Sequence, residues 1–282
     1  MLEKANPPSV DAYIRHLSEK GEDPDGEMRT GASYAVALVL TNLERSYELK
    51  MNPPDDWMIH VVRTHLSHLH STSPSDISFV TFNYDNLIER HLVHRLSGYM
   101  GDEKGAERAS QIPVVHVHGN LLRTDIVAWQ LVSEFKAGEN TNWFGTSMYG
   151  PISHIDEKAA AMASRSLKFF WENDMATEAS NRAARFIAEA DIIVVIGVGA
   201  AIQPLEQLFQ PFADGQLDDR IVVGTCFGLD SVNRERLASI FQRVGVSPSL
   251  SREKAHSFME KRFPHSYLHV EAKNNINGLL AR

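Results

Sequence analysis

The chain has 282 residues, 43% of them hydrophobic, a formal charge of -8 and a single cysteine, Cys226. That length and apolar content suffice for one large α/β domain or two small ones. The acidic balance without a basic block argues against direct nucleic-acid binding, no apolar run approaches the roughly 18 residues of a membrane span, and one cysteine allows neither an intrachain disulfide nor a multi-cysteine zinc site. The start, Met1-Leu2-Glu3-Lys4-Ala5-Asn6, carries no secretory pattern, so a cytoplasmic protein is expected.

The first seventy residues read as helical. Val10 to Leu17 is amphipathic, Tyr34 to Leu49 is a strong helix, and Trp57 to Leu69 is another, entered after Pro53-Pro54. Five apolar runs then predict strands at Ile77 to Phe82, Ile112 to Val117, Ile192 to Ile196, Ile221 to Cys226 and Tyr267 to Val270. Helical stretches at Leu87 to Leu96, Asn181 to Ala190, Leu205 to Phe212 and Arg234 to Phe241 separate most of them, whereas Gly98 to Ser110 is polar and reads as a loop. Strands alternating with helices predict an α/β fold with a doubly wound parallel sheet of about five to six strands. The segment from Asn120 to about Ala176 interrupts the alternation with a turn-rich stretch, Gly138 to Gly145, and a helix-like run from Ile155 to Asn173. The expected organisation is a helical N-terminal region over 1–72 and a core over 73–282, with a helical lobe or lid inserted at about 120–176.

Two apolar runs break off into polar, reactive side chains: Phe79-Val80-Thr81-Phe82-Asn83-Tyr84-Asp85 and Val115-His116-Val117-His118-Gly119. Buried parallel strands look like this where they deliver functional groups to the carboxyl edge of an open sheet. The two segments resemble the Asn-x-Asp and His-Gly motifs of sirtuins and of the broader sirtuin-like NAD hydrolases. Gly197-Val198-Gly199-Ala200-Ala201-Ile202-Gln203-Pro204 stands in family order where sirtuins carry Gly-Thr-Ser-Leu-x-Val-x-Pro, with Val198 and Gly199 replacing the two hydroxyl residues. The resemblance covers roughly residues 77 to 230. The family's first strand and Gly-Ala-Gly-Ser loop are lacking: Thr30-Gly31-Ala32-Ser33 is their only echo and reads as the N-cap and first turn of a helix. Either that β-loop-α unit has been lost, or Met1 lies inside a longer protein.

The resemblance implies an enzyme that cleaves NAD, as substrate, to nicotinamide and ADP-ribose. Nicotinamide leaves as a neutral pyridine, so the work is mostly positioning and electrostatics. Asn83 is expected to orient the ribose and a water, and His118 to act as general base near neutral pH. Asn83 also fits a plain turn out of its strand, and Asp85 a plain helix N-cap. NAD contacts are expected from Thr81, Asp85, Gly119, Gly197, Gly199, Gly224 and Thr225. Glycines after the Ile192 to Ile196 run would let backbone approach a dinucleotide, and Gly224-Thr225 would lie beside the adenosine by position.

Phe82 and Tyr84 in place of the sirtuin Gln and Ile, and the missing zinc cysteines, point away from protein deacylation and toward the NAD-depleting effectors of bacterial anti-phage defence. Such domains work as homo-oligomers or under a regulatory protein partner. A catalytically inactive or nucleotide-sensing subunit is the second expectation, and a zinc-free NAD-dependent deacylase the third. Trp143-Phe144-Gly145 resembles an acyl-pocket motif but reads more economically as an aromatic anchor. His60, His65, His68, His70, His91 and His94 stand at no recognised zinc spacing, so no metal is expected.

Overall fold

The structure is a computed structural model. It describes residue 16 and residues 19–21, 26–48, 56–66, 77–121, 146–147, 150–151, 163–165, 167–168, 178–199 and 202–263. In chain order the elements are α1 (Glu27–Glu48), α2 (Met58–Leu66), β1 (Phe79–Thr81), α3 (Leu87–Met100), α4 (Asp102–Ser110), β2 (Val114–His116), β3 (Thr146–Ser147) and β4 (Gly150–Pro151). They continue as α5 (Glu178–Glu189), β5 (Ile192–Val195), α6 (Gln203–Phe209), β6 (Ile221–Thr225), α7 (Ser231–Arg243), β7 (Ser249–Ser251) and α8 (Ala255–Arg262). The expected strand at Tyr267 to Val270, the Val10 to Leu17 helix apart from residue 16, the 138–145 turns up to Gly145, and most of the 155–173 run lie outside the described residues.

The chain divides into two compact units. The first contains α1, β1, α3, α4, β2 and the antiparallel β3–β4 ribbon. Its sheet pairs β1 with β2 in parallel, Phe79 against Val114, Val80 against Val115 and Thr81 against His116. Parallel neighbours need a crossover, and here α3 and α4 supply it. Ala37 of α1 meets Leu121, Ala163 and Leu167 in a core that Tyr34, Val36, Leu38, Leu40 and Tyr84 flank. Leu121 is fully buried, which contributes about 2 kcal/mol and anchors the chain just after β2.

The Gly98 to Ser110 segment is helical rather than a loop. α3 runs on to Met100, and α4 follows after a one-residue turn at Gly101, whose φ of 84° favours glycine. The buried face of α4 is Gly105, Ala106, Arg108 and Ala109. Small side chains carry little hydropathy, so the helical period is nearly silent in the sequence. A Cβ on Gly105 would lie 2.3 Å from the Ser97 backbone, so glycine there lets the two helices touch. Asp102 and Glu103 in the first turn and Arg108 in the last complement the helix dipole.

The second unit contains α2, most of α5, α6, α7, α8 and a parallel sheet ordered β5-β6-β7. Ile192 pairs with Ile221 and Val195 with Gly224, while Val223 to Thr225 pair with Ser249 to Ser251. Phe209 and Phe241 meet edge to face at 5.0 Å between α6 and α7, and Asp230 caps α7 by accepting the Asn233 N–H at 2.8 Å. On another side, Val223, Phe258 and Met259 pack with Trp57, Val61 and Ile221.

The fold is thus mixed α/β, with short parallel sheets and flanking helices. Its described strands form sheets of two and three parallel strands and one two-stranded ribbon, and no single sheet of five to six strands is among the described elements. β7 was not expected, because Ser249-Leu250-Ser251 holds a single apolar residue. Among the described residues, no helix is long and apolar enough to cross a membrane.

Candidate active site

Thr81 and His116 are the last paired residues of β1 and β2. Asn83 and His118 each lie two residues further on, so the parallel register brings them to the same edge of the sheet. The pairing continues one step as Val117 N–H donates to the Thr81 carbonyl at 2.9 Å. The Phe82 and Tyr84 rings lie 5.6 and 6.4 Å from the His118 ring between centroids.

Asn83 is exposed, yet its backbone is held at both ends. Its N–H donates to the Thr81 hydroxyl at 3.1 Å, and its carbonyl accepts from His116 Nδ1 at 2.9 Å. His116 Nε2 lies 2.8 Å from Glu89 Oε1 of α3. A carbonyl and a carboxylate oxygen both accept, and the doubly protonated ring satisfies both by donating from each nitrogen. Burial opposes that charge, but the Glu89 hydrogen bond and charge, the Asn83 carbonyl and the Asp85 carboxylate together hold the His116 pKa above 6.5.

His118 is the opposite case. It is 4% exposed, and burial pushes its pKa down to about 4. The ring is therefore neutral at pH 7 and a weak proton acceptor. Its carbonyl accepts from Lys168 N–H at 2.9 Å, while Tyr84 donates its hydroxyl to the Lys168 carbonyl at 2.9 Å. Leu121 N–H closes the loop onto the Tyr84 carbonyl at 2.9 Å. Gly119 turns the chain between them with φ 79°.

Asp85 accepts the Leu87 N–H at 3.2 Å, one residue before the Asn86 N-cap position of α3, so it satisfies a first-turn donor. Burial raises its pKa above 3.8. The Thr81 hydroxyl, 8% exposed as a residue, is already engaged by Asn83. Glu89 is the residue that sequence reasoning missed. Its signal was faint: an acidic side chain in the first helical turn, one turn after Asp85, with a histidine two residues before the His-Gly pair.

The remaining expected residues lie in the second unit, at the carboxyl ends of β5 and β6. Gly197 and Gly199 are exposed with φ of 67° and 63°, and apart from their chain neighbours no described atom lies within 4 Å of a Cβ built on either. Such backbone leaves room for a ligand. Gly224 has a different reason to be glycine: its Cβ would meet the Val195 carbonyl oxygen at 2.4 Å. The Thr225 hydroxyl donates to the Glu253 carbonyl and accepts the Phe227 N–H at 3.2 Å. Ala200 and Ala201 of the glycine motif and Trp143-Phe144-Gly145 lie outside the described residues. Among the described residues, no three His, Cys, Asp or Glu side chains come together as metal ligands.

The β1–β2 edge combines an exposed amide on a fixed backbone, a neutral buried imidazole and a second imidazole bonded to both Asn83 and Glu89. Such a set can orient a hydroxyl or a water and accept a hydrogen bond. Comparison with family models, with curated proteins and with solved structures finds no match.

Proposed function

We propose that the protein is a sirtuin-like NAD glycohydrolase that cleaves NAD to nicotinamide and ADP-ribose. The observation that carries this reading is the equal offset of Asn83 and His118 beyond the paired Thr81 and His116. The reading takes the fold as a doubly wound parallel sheet of about five to six strands, and the biological role as an NAD-depleting effector of bacterial anti-phage defence. It further takes the protein as cytoplasmic, and as a homo-oligomer or under a regulatory partner.

In this mechanism Asn83 donates to a ribose hydroxyl and holds the attacking water. His118 accepts a hydrogen bond from a ribose hydroxyl or from that water, and the proton that the water gives up on bonding to the anomeric carbon passes to solvent. Its neutrality supports the assignment, because a cationic ring would repel the positively charged nicotinamide ribosyl group and its oxocarbenium-like transition state. No general acid is required, since the leaving group departs as a neutral pyridine.

A second reading, a nucleotide-sensing subunit without turnover, has its own observation. Thr30-Gly31-Ala32-Ser33 lies inside α1, so it forms no phosphate loop after a strand. Proton NMR of the full chain mixed with NAD separates the two. Free nicotinamide accumulating with the wild type, and at least ~100-fold more slowly with Asn83→Ala, supports the hydrolase. NAD binding without nicotinamide release supports the sensor.

A further inference from the structure

We propose that His116 and Glu89 form a positioning device, in which the charged imidazole clamps the main-chain carbonyl of Asn83 and thereby sets the exposed amide for reaction. The inference rests on the hydrolase reading and adds a residue pair to it. Three features of the geometry support it. His116 bonds through Nδ1 to Asn83 at 2.9 Å and through Nε2 to Glu89 at 2.8 Å, so one ring links the catalytic turn to the first turn of α3. The other backbone end of Asn83 is fixed by Thr81, which leaves the side chain as the main freedom of that residue. The His116 and Glu89 side chains are only 3% and 12% exposed, so water competes poorly for either bond.

Glu89 on α3 and Asp85 in the β1–α3 turn are the charged groups that act on this ring. Both favour the cation, and its raised pKa agrees with the bonding pattern. A clamp of this kind works while the imidazole keeps both protons. When the ring loses one, either the Asn83 carbonyl or the Glu89 carboxylate faces a bare nitrogen. His116 does not touch the substrate in this account, and its effect travels through the backbone of Asn83.

Two variants separate the clamp from simple packing. The Asn side-chain amide falls near the place of His Nδ1, and the Gln amide near Nε2. His116→Asn therefore keeps a donor for the Asn83 carbonyl, whereas His116→Gln keeps one for Glu89. Nicotinamide release is measured across about pH 5 to 10 for each. His116→Gln should lose about 100-fold in kcat with KM within about threefold, and His116→Asn should stay within about tenfold of wild type. The alkaline fall of the wild-type profile should vanish in His116→Asn, whose amide does not titrate. Glu89→Gln keeps an acceptor for Nε2 but removes the charge, and should move the alkaline fall down by about one pH unit. Equal loss in the Asn and Gln variants, or an unmoved alkaline limb in Glu89→Gln, overturns the clamp. A wild type with no turnover overturns the hydrolase reading instead. The clamp is then read from the backbone amide of Asn83 by 15N NMR: a shift in His116→Gln much larger than in His116→Asn upholds it, and equal shifts overturn it.

Discussion

Replacing His118 by phenylalanine should flatten the acid side of the stability profile. The native ring has its pKa pushed down to about 4 by burial, against 6.5 for an unperturbed histidine. Between those values the unfolded chain binds a proton that the folded chain refuses. Stability from this group is complete above about pH 6.5, falls as the pH drops, and levels off below about 4. At about 1.4 kcal/mol per pH unit, the full loss is about 3 kcal/mol. Phenylalanine keeps an aromatic ring beside Phe82 and Tyr84 without a titrating group. Asp85 works in the opposite sense, since its raised pKa makes the folded state bind its proton more tightly, but it is present in both proteins and cancels in the difference. Urea denaturation followed by circular dichroism, at steps from about pH 7 to 4, gives that difference directly. The wild type should lose about 3 kcal/mol relative to His118→Phe over the window. Parallel profiles would mean that His118 takes up its proton in the folded state at an ordinary pH, and the buried neutral ring would be wrong.

Two glycines give further tests. Gly105→Ala would place a methyl group 2.3 Å from the Ser97 backbone and should cost about 2–3 kcal/mol in denaturant titrations, with α3 and α4 forced apart; a cost near zero would contradict their close contact. Gly224→Ala would drive a Cβ to 2.4 Å from the Val195 carbonyl oxygen, so it should destabilise the β5–β6 pair by about 2 kcal/mol with or without NAD. A loss of NAD affinity at unchanged stability would instead make Gly224 a ligand contact.

The sequence made the buried strands easy to find and the quiet elements hard. β1, β2, β5 and β6 fall inside the apolar runs expected of them, and β2 and β6, the most deeply buried, show why such runs mark strands. The runs overstate each strand by one to three residues, since pairing stops before hydropathy does. β7 escaped because Leu250 is its single apolar residue; Cys226 N–H donates to the carbonyl of Ser251 at its end, and the Thr225 hydroxyl to that of Glu253 just beyond. α4 escaped because it packs with Gly and Ala. At the site, the common edge of Asn83 and His118 followed from successive strands that pair in parallel. Protonation could not be read that way. His116 and His118 are two residues apart, yet the pKa of one is raised and that of the other is lowered to about 4, a difference that owes most to Glu89, a residue distant in sequence from both. Gly224 shows the converse: its position suggested a ligand, and its neighbours give a packing reason.

The most direct measurement is chromatography of NAD incubated with the purified full chain, beside His118→Ala. Nicotinamide and ADP-ribose should appear in equal amounts with the wild type, and at least ~100-fold more slowly with the variant. NAD returned intact by wild-type protein that binds it, or equal release by both proteins, would contradict the account.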